Sequence, residues 1–146
     1  MGWKMKIAAA CYGVSAIYCL TVGLSFVFRT EFFPFHSDVI QTPWSEVEPL
    51  AQTLYLGMMR TEGAGFLATA VALGALLAVP FRRGEAWAYW AMTAIGVVEH
   101  VPTLLANLHV SAVSPGSPPW QAAAVGIILL LIGLGFGLAG ARKENT

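Results

Sequence analysis

Two clusters of ionisable side chains touch the long apolar runs of this chain. Arg60-Thr61-Glu62 stands just ahead of the run 63–79, and Glu99-His100 lies inside the run 87–110. A charged side chain near a bilayer centre costs about 2.5–3.5 kcal/mol, so such residues face a protein interior or a wet cavity and find partners there. Two carboxyls in different surroundings can divide acid and base work. Glu99, the deeper one, is the expected proton donor, and Glu62 or His100, nearer to water and Arg60, the expected base. That pairing suits proton transfer on a lipophilic substrate: double-bond isomerisation, epoxide opening or protonation-initiated cyclisation. The candidate catalytic residues are therefore Glu99, Glu62 and His100. Arg60, Thr103, Asn107 and Tyr18 are candidate ligand contacts, capped by His36 and Asp38 from the segment 29–48.

Depth sharpens the choice. Glu62 is eighteen residues from Pro80, about 27 Å at helical rise. This is close to the hydrocarbon thickness of about 30 Å, so Arg60 and Glu62 belong at a membrane boundary. Glu99 lies twelve residues in from Trp87, about 18 Å deep, and its short side chain cannot snorkel. Helical spacing puts Gly96, Glu99, His100, Thr103 and Asn107 on one stripe. Pro102 removes the hydrogen bond that the Val98 carbonyl would accept, so a free acceptor and a kink are expected at the same level. In the first run, Ser15, Tyr18 and Cys19 can share a face. Hydroxyls in spans are often packing glue, and Glu99 itself can serve as a protonated interhelical bond.

The elements that must position these groups are membrane helices. Of the 146 residues, 57% are hydrophobic and 11% charged, and the mean hydropathy is +0.67. A soluble domain carries about a quarter charged residues. Four apolar segments, about 7–28, 50–79, 87–110 and 120–141, are each long enough to cross a bilayer. The expected fold is all-α: a single four-helix transmembrane domain over 1–146, in the cytoplasmic membrane of a bacterium. Lys4, Lys6, Arg82, Arg83, Arg142 and Lys143 all lie at the termini or in the turn between the second and third spans. By the positive-inside rule both termini are cytoplasmic. Lys4 and Lys6 before an apolar run imitate a signal peptide, but no small-residue cleavage pattern ends that run, and it reads as an uncleaved first span.

The outer side then holds two loops. The segment 29–48 is acidic yet rich in Phe32, Phe33, Phe35 and Trp44. Aromatics favour the headgroup zone, so it is expected to lie on the membrane as a lid, with a short helix starting near Thr42-Pro43. The segment 111–119, with Pro115, Gly116, Pro118 and Pro119, is expected to be non-helical. Gly133 and Gly137 make a GxxxG spacing that permits close approach within the bundle or in a homo-oligomer. Cys11 and Cys19, eight residues apart on one helix, are about 12 Å apart along its axis, too far for a disulfide. His36, His100 and His109 show no ligand spacing, so neither metal nor cofactor is expected. Zero formal net charge without a basic stripe speaks against a nucleic-acid partner. The expected partners are the bilayer and a lipophilic small molecule.

The runs Met-Met-Arg-Thr-Glu-Gly-Ala-Gly (58–65) and Val-Val-Glu-His-Val-Pro-Thr-Leu-Leu (97–105) loosely resemble the EXPERA membrane family, which includes sterol isomerases and the sigma-2 receptor. The resemblance implies a pocket for sterols or hydrophobic amines lined by carboxylates. Glu62 would be the second-helix carboxylate, with the His100–Thr103–Leu104 region as pocket wall. The first span has no acidic residue to match the family's other carboxylate, and Glu99 must stand in. Length, span count and the Arg-x-x-Gly run at 60–63 are about equally similar to small DoxX-like bacterial membrane proteins. Either resemblance covers roughly residues 50–110. The leading expectation is an outer-half pocket for an isoprenoid, sterol-like or quinone-like molecule. The alternatives are a non-enzymatic membrane subunit or scaffold, and a proton or solute pathway through Glu62, Glu99 and His100.

Overall fold

A computed structural model describes residues 2–144, with the side chains of 142–144, including Arg142 and Lys143, outside the description. The chain is all-helical: α1 (Trp3–Val27), α2 (Pro34–Ile40), a single 3-10 turn (Trp44–Glu46), α3 (Pro49–Ala78), α4 (Ala86–Val113) and α5 (Trp120–Glu144). α1, α3, α4 and the 120–141 stretch of α5 are long and apolar enough to cross a membrane. The end holding the two termini is called the inner end below.

Local chemistry sets the boundaries. Pro49 occupies the first turn of α3, and the Glu48 carboxylate caps it by accepting from the backbone N–H groups of Leu50 and Ala51 at 3.0 and 3.1 Å. Beyond Ala78, Pro80 and a left-handed Gly84 (φ 75°) turn the chain into α4, with an Arg83–Glu85 ion pair of 4.0 Å on the surface. α3 is 30 residues long, about 45 Å, which exceeds the hydrocarbon thickness of about 30 Å. Its outer end therefore extends past the other spans and supports the lid.

The bundle is apolar on its outside. Ile17, Leu54, Val71, Val98, Leu105 and Ile128 are all more than half exposed. In water such a surface would carry a large hydrophobic penalty, and in lipid it carries none. Trp3, Trp87 and Trp90 lie exposed at the inner helix ends, the position of an interfacial aromatic belt.

Packing differs between the two halves. The inner half is dense, with Tyr12, Leu73, Phe81, Tyr89, Met92 and Leu130 all fully buried. The Tyr12 hydroxyl reaches the Tyr89 carbonyl at 3.1 Å and Thr93 Oγ1 at 3.0 Å, so its polar groups are satisfied internally. Gly133 and Gly137 belong to this half and are covered by the rings of Tyr12 and Tyr89. Of the two uses expected of this spacing, close approach within the bundle is the one seen here. α1 lies against α3 and α5, and α5 against α4, while α3 and α4 touch less than these three pairs despite their short connection. The outer half holds an opening walled by all four spans and the segment 29–48.

The closest helix crossing fixes that opening. A Cβ on Gly63 would stand 2.9 Å from the Gly23 carbonyl oxygen, and one on Gly23 would stand 2.9 Å from the Gly63 oxygen. Only glycine at both positions lets the α1 and α3 backbones touch.

Candidate functional site

A cavity of about 280 Å³ occupies the outer half of the bundle. All four spanning helices and the lid bound it: Tyr18, Ser25 and Phe26 from α1, Glu62 and Phe66 from α3, Thr103 and Asn107 from α4, Ala123 from α5, and Phe33, Phe35 and His36 from the lid. A second chamber of about 220 Å³ lies between the lid and α3, lined by Phe32, Val39, Ile40, Tyr55, Met58 and Met59. Glu62 and His36 border both chambers. Glu62 is held there by the next residue, Gly63, at the α1–α3 crossing.

The lid is more ordered than its sequence suggests. A short helix does begin beside Pro43, the 3-10 turn Trp44–Glu46, and a longer one that the sequence did not signal, Pro34–Ile40, precedes it. Pro34 supplies a ready-made first turn, and the Phe33 backbone N–H donates to His36 Nδ1 at 3.2 Å. Phe32 is buried against Trp44 (centroids 4.8 Å apart) and Tyr55 (5.8 Å). Gln52 Nε2 donates to the Trp44 carbonyl at 2.8 Å, tying the lid to α3. From the other side Gly116 lies directly on α2, where a Cβ would meet Val39 and stand 2.9 Å from the Phe35 carbonyl oxygen. Nothing in the sequence singles out Gly116 for this clasp, since contacts between two loops leave no periodic pattern.

Because Nδ1 of His36 accepts a hydrogen bond, the neutral ring carries its proton on Nε2. Burial, and secondarily the nearby Arg29 guanidinium, lower the His36 pKa below 6.5 and keep that ring neutral. Arg29 itself lies over the Phe33 ring, 4.1 Å from its centroid.

Of the residues that the sequence nominates, Tyr18, His36, Glu62, Thr103 and Asn107 meet at the first cavity. Glu99 does not line it. Its Oε2 accepts from Thr69 Oγ1 at 3.3 Å and lies 3.5 Å from where a Cβ on Gly65 would be, so it sits in the α3–α4 seam below the cavity. His100 is fully buried one turn deeper than Thr103. Its Nδ1 donates to the Gly96 carbonyl at 2.8 Å, and its ring packs on Tyr18, Phe66 and Gly126. Nε2 of His100 has no partner among the described residues. Arg60 is exposed on the other side of α3 from Glu62, and Asp38 faces outer surface grooves. Val98 and Pro102 are both on the exposed face of α4, so the acceptor freed by Pro102 lies on the helix's outward side and not at the cavity. The stripe of α4 is thus split by depth: its upper part faces the cavity and its lower part is packed.

The lining aromatics Phe26 and Phe66 were not among the candidates, because a Phe in an apolar span carries no signal separating cavity from core. Thr103 Oγ1 is committed to the Glu99 carbonyl at 2.9 Å. The Glu62 carboxylate and the Asn107 amide make no hydrogen bond to the described residues and remain available to a bound molecule. Among the described residues no group of three or more His, Cys, Asp or Glu side chains is arranged to hold a metal ion.

No family model, no curated protein and no solved structure matches this chain. The likeness to the EXPERA and DoxX-like proteins therefore rests on its short motifs alone.

Proposed function

We propose that this chain is an integral membrane protein that binds a lipophilic molecule in the cavity of its outer half. One observation carries the reading: an uncommitted carboxylate, Glu62, exposed at the rim of an aromatic-walled cavity of about 280 Å³ in a bundle with an apolar exterior. Ligand sites are mostly apolar with a few polar groups that set orientation. A carboxylate at a membrane boundary is retained where it serves such a site. A catalytic version of the reading, with isomerisation, epoxide opening or cyclisation as its chemistry, assigns proton transfer to Glu62 and His36 in place of Glu99 and His100.

The distribution of basic residues supports cytoplasmic termini, and a bacterial cytoplasmic membrane is part of the proposal. A second reading, a non-enzymatic subunit, is favoured by Arg60, which is exposed on α3 and has no ion-pair partner among the described residues. A proton or solute pathway draws less support, because the inner-half hydroxyls of Tyr12 and Thr93 bond to each other and to the Tyr89 carbonyl.

Native mass spectrometry of protein released from lipid nanodiscs tests the first reading. The wild type should retain a small lipophilic adduct, and Glu62→Gln should reduce that adduct at least fivefold. An adduct absent from the wild type, or equally abundant in both, overturns it.

A further inference from the structure

We infer that the ligand is a neutral lipid alcohol whose hydroxyl sits between Glu62 and His36 and whose tail lies in the second chamber. The inference rests on the binding role proposed above and names the class of molecule bound. The two chambers differ in chemistry. The first collects hydroxyl, amide, imidazole and carboxylate groups, whereas the second is apolar apart from the tyrosine hydroxyl and the two residues it shares with the first. An amphiphile fits such a pair with its head in one chamber and its tail in the other.

The shared pair sets the head group. A carboxylate can only accept hydrogen bonds. His36 Nδ1 is occupied by the Phe33 N–H, so the only ring nitrogen this chamber-lining residue has left to offer is Nε2–H, which can only donate. The simplest neutral head that both donates to the first and accepts from the second is a hydroxyl. A carboxylate head would face the Glu62 charge. An ammonium head would satisfy Glu62 but leave the His36 N–H pointing at a cation with no lone pair. Phe33, one of the cavity rings whose face could attract a cation, already carries the Arg29 guanidinium.

The tail has an exit. Glu62 also borders a groove on the outer face of α3 with Leu54 and Met58, which are 62% and 61% exposed. Met58 lines the second chamber as well. The second chamber therefore opens onto an exposed apolar groove of α3, and the tail enters between the lid and α3 at the membrane boundary.

Photolabelling of the nanodisc-reconstituted protein tests this with three probes carrying a diazirine near the tail end: dodecan-1-ol, dodecylamine and dodecanoate. Saturable labelling by the alcohol should map to Tyr55, Met58 or Met59. Unlabelled dodecan-1-ol should compete at a concentration at least tenfold lower than the other two unlabelled compounds. His36→Phe removes the donor while keeping an aromatic ring, and should abolish that preference. Glu62→Gln should bring dodecanoate level with the alcohol. Retained helical circular dichroism in both variants separates these effects from misfolding. Equal or stronger competition by the amine or the acid overturns the alcohol assignment and leaves the cavity reading standing. Saturable labelling confined to residues outside the second chamber overturns the tail placement. Absence of saturable labelling by all three probes overturns both.

Discussion

Glu62 and Glu99 look alike in the sequence, each a carboxyl in an apolar helix, yet their surroundings divide them. Glu62 faces two chambers without a hydrogen bond to the protein, while Glu99 accepts from Thr69 across the α3–α4 seam. Substitution should separate them. Thr69→Val removes a bond between membrane helices, worth about 0.6 kcal/mol, so it should lower Tm slightly and leave ligand retention within twofold. Loss of ligand in Thr69→Val at unchanged stability would contradict the assignment. His36 gives a pH dependence. Its folded pKa lies below the unfolded value of 6.5, so its contribution to stability is full above 6.5 and is lost as pH falls through the lower folded value. Wild-type Tm should therefore decline below pH 6.5 more steeply than that of His36→Phe, whereas parallel curves would refute a buried neutral ring. Depth along a helix was legible for both glutamates, because rise per residue is fixed. Which of them meets a void was not, since that depends on how far two helices diverge.

At the scale of elements, the four spans were legible from hydropathy and length, and the start of α3 at Pro49 agrees with its cap. The short turn after Pro43 was legible, but the helix at Pro34 was not, because proline at a first helical turn reads equally well as a loop breaker. The GxxxG spacing in α5 drew attention to Gly133 and Gly137, but the crossing that shapes the cavity uses single glycines, Gly23 and Gly63, on different helices. Pairing of that kind cannot be seen along one helix. Gly63→Ala forces a Cβ against the Gly23 carbonyl and should destabilise by about 1–3 kcal/mol, the range for overpacking. Guanidinium-free thermal unfolding in detergent measures it, and an unchanged Tm would show that the backbones do not touch. Gly116→Val should lift α2, since its larger side chain meets Val39 and the Phe35 carbonyl. Faster hydrogen exchange over 34–40, with the spans unchanged, is the expected outcome, and unchanged exchange there would remove the clasp.

For the whole molecule, one asymmetry stands out: a tightly packed inner half and an outer half that holds two chambers bordered by a lid. The apolar exterior was legible in composition, since too few charges exist to cover a soluble surface. The proposed orientation rests on the distribution of basic residues and is open to direct measurement. In a background with Cys11 and Cys19 replaced, Ser117→Cys should react with an impermeant maleimide in intact cells, and Glu85→Cys only after permeabilisation. The opposite pattern would invert the topology and turn the cavity toward the cytoplasm. The central claim, that the outer cavity is a binding site, is tested most directly by an experimental structure of the protein in lipid. The account predicts continuous non-protein density running from Asn107 past Glu62 and His36 to Met58. Side chains collapsed into that volume, with Glu62 turned outward to pair with Arg60 or a headgroup, would contradict it.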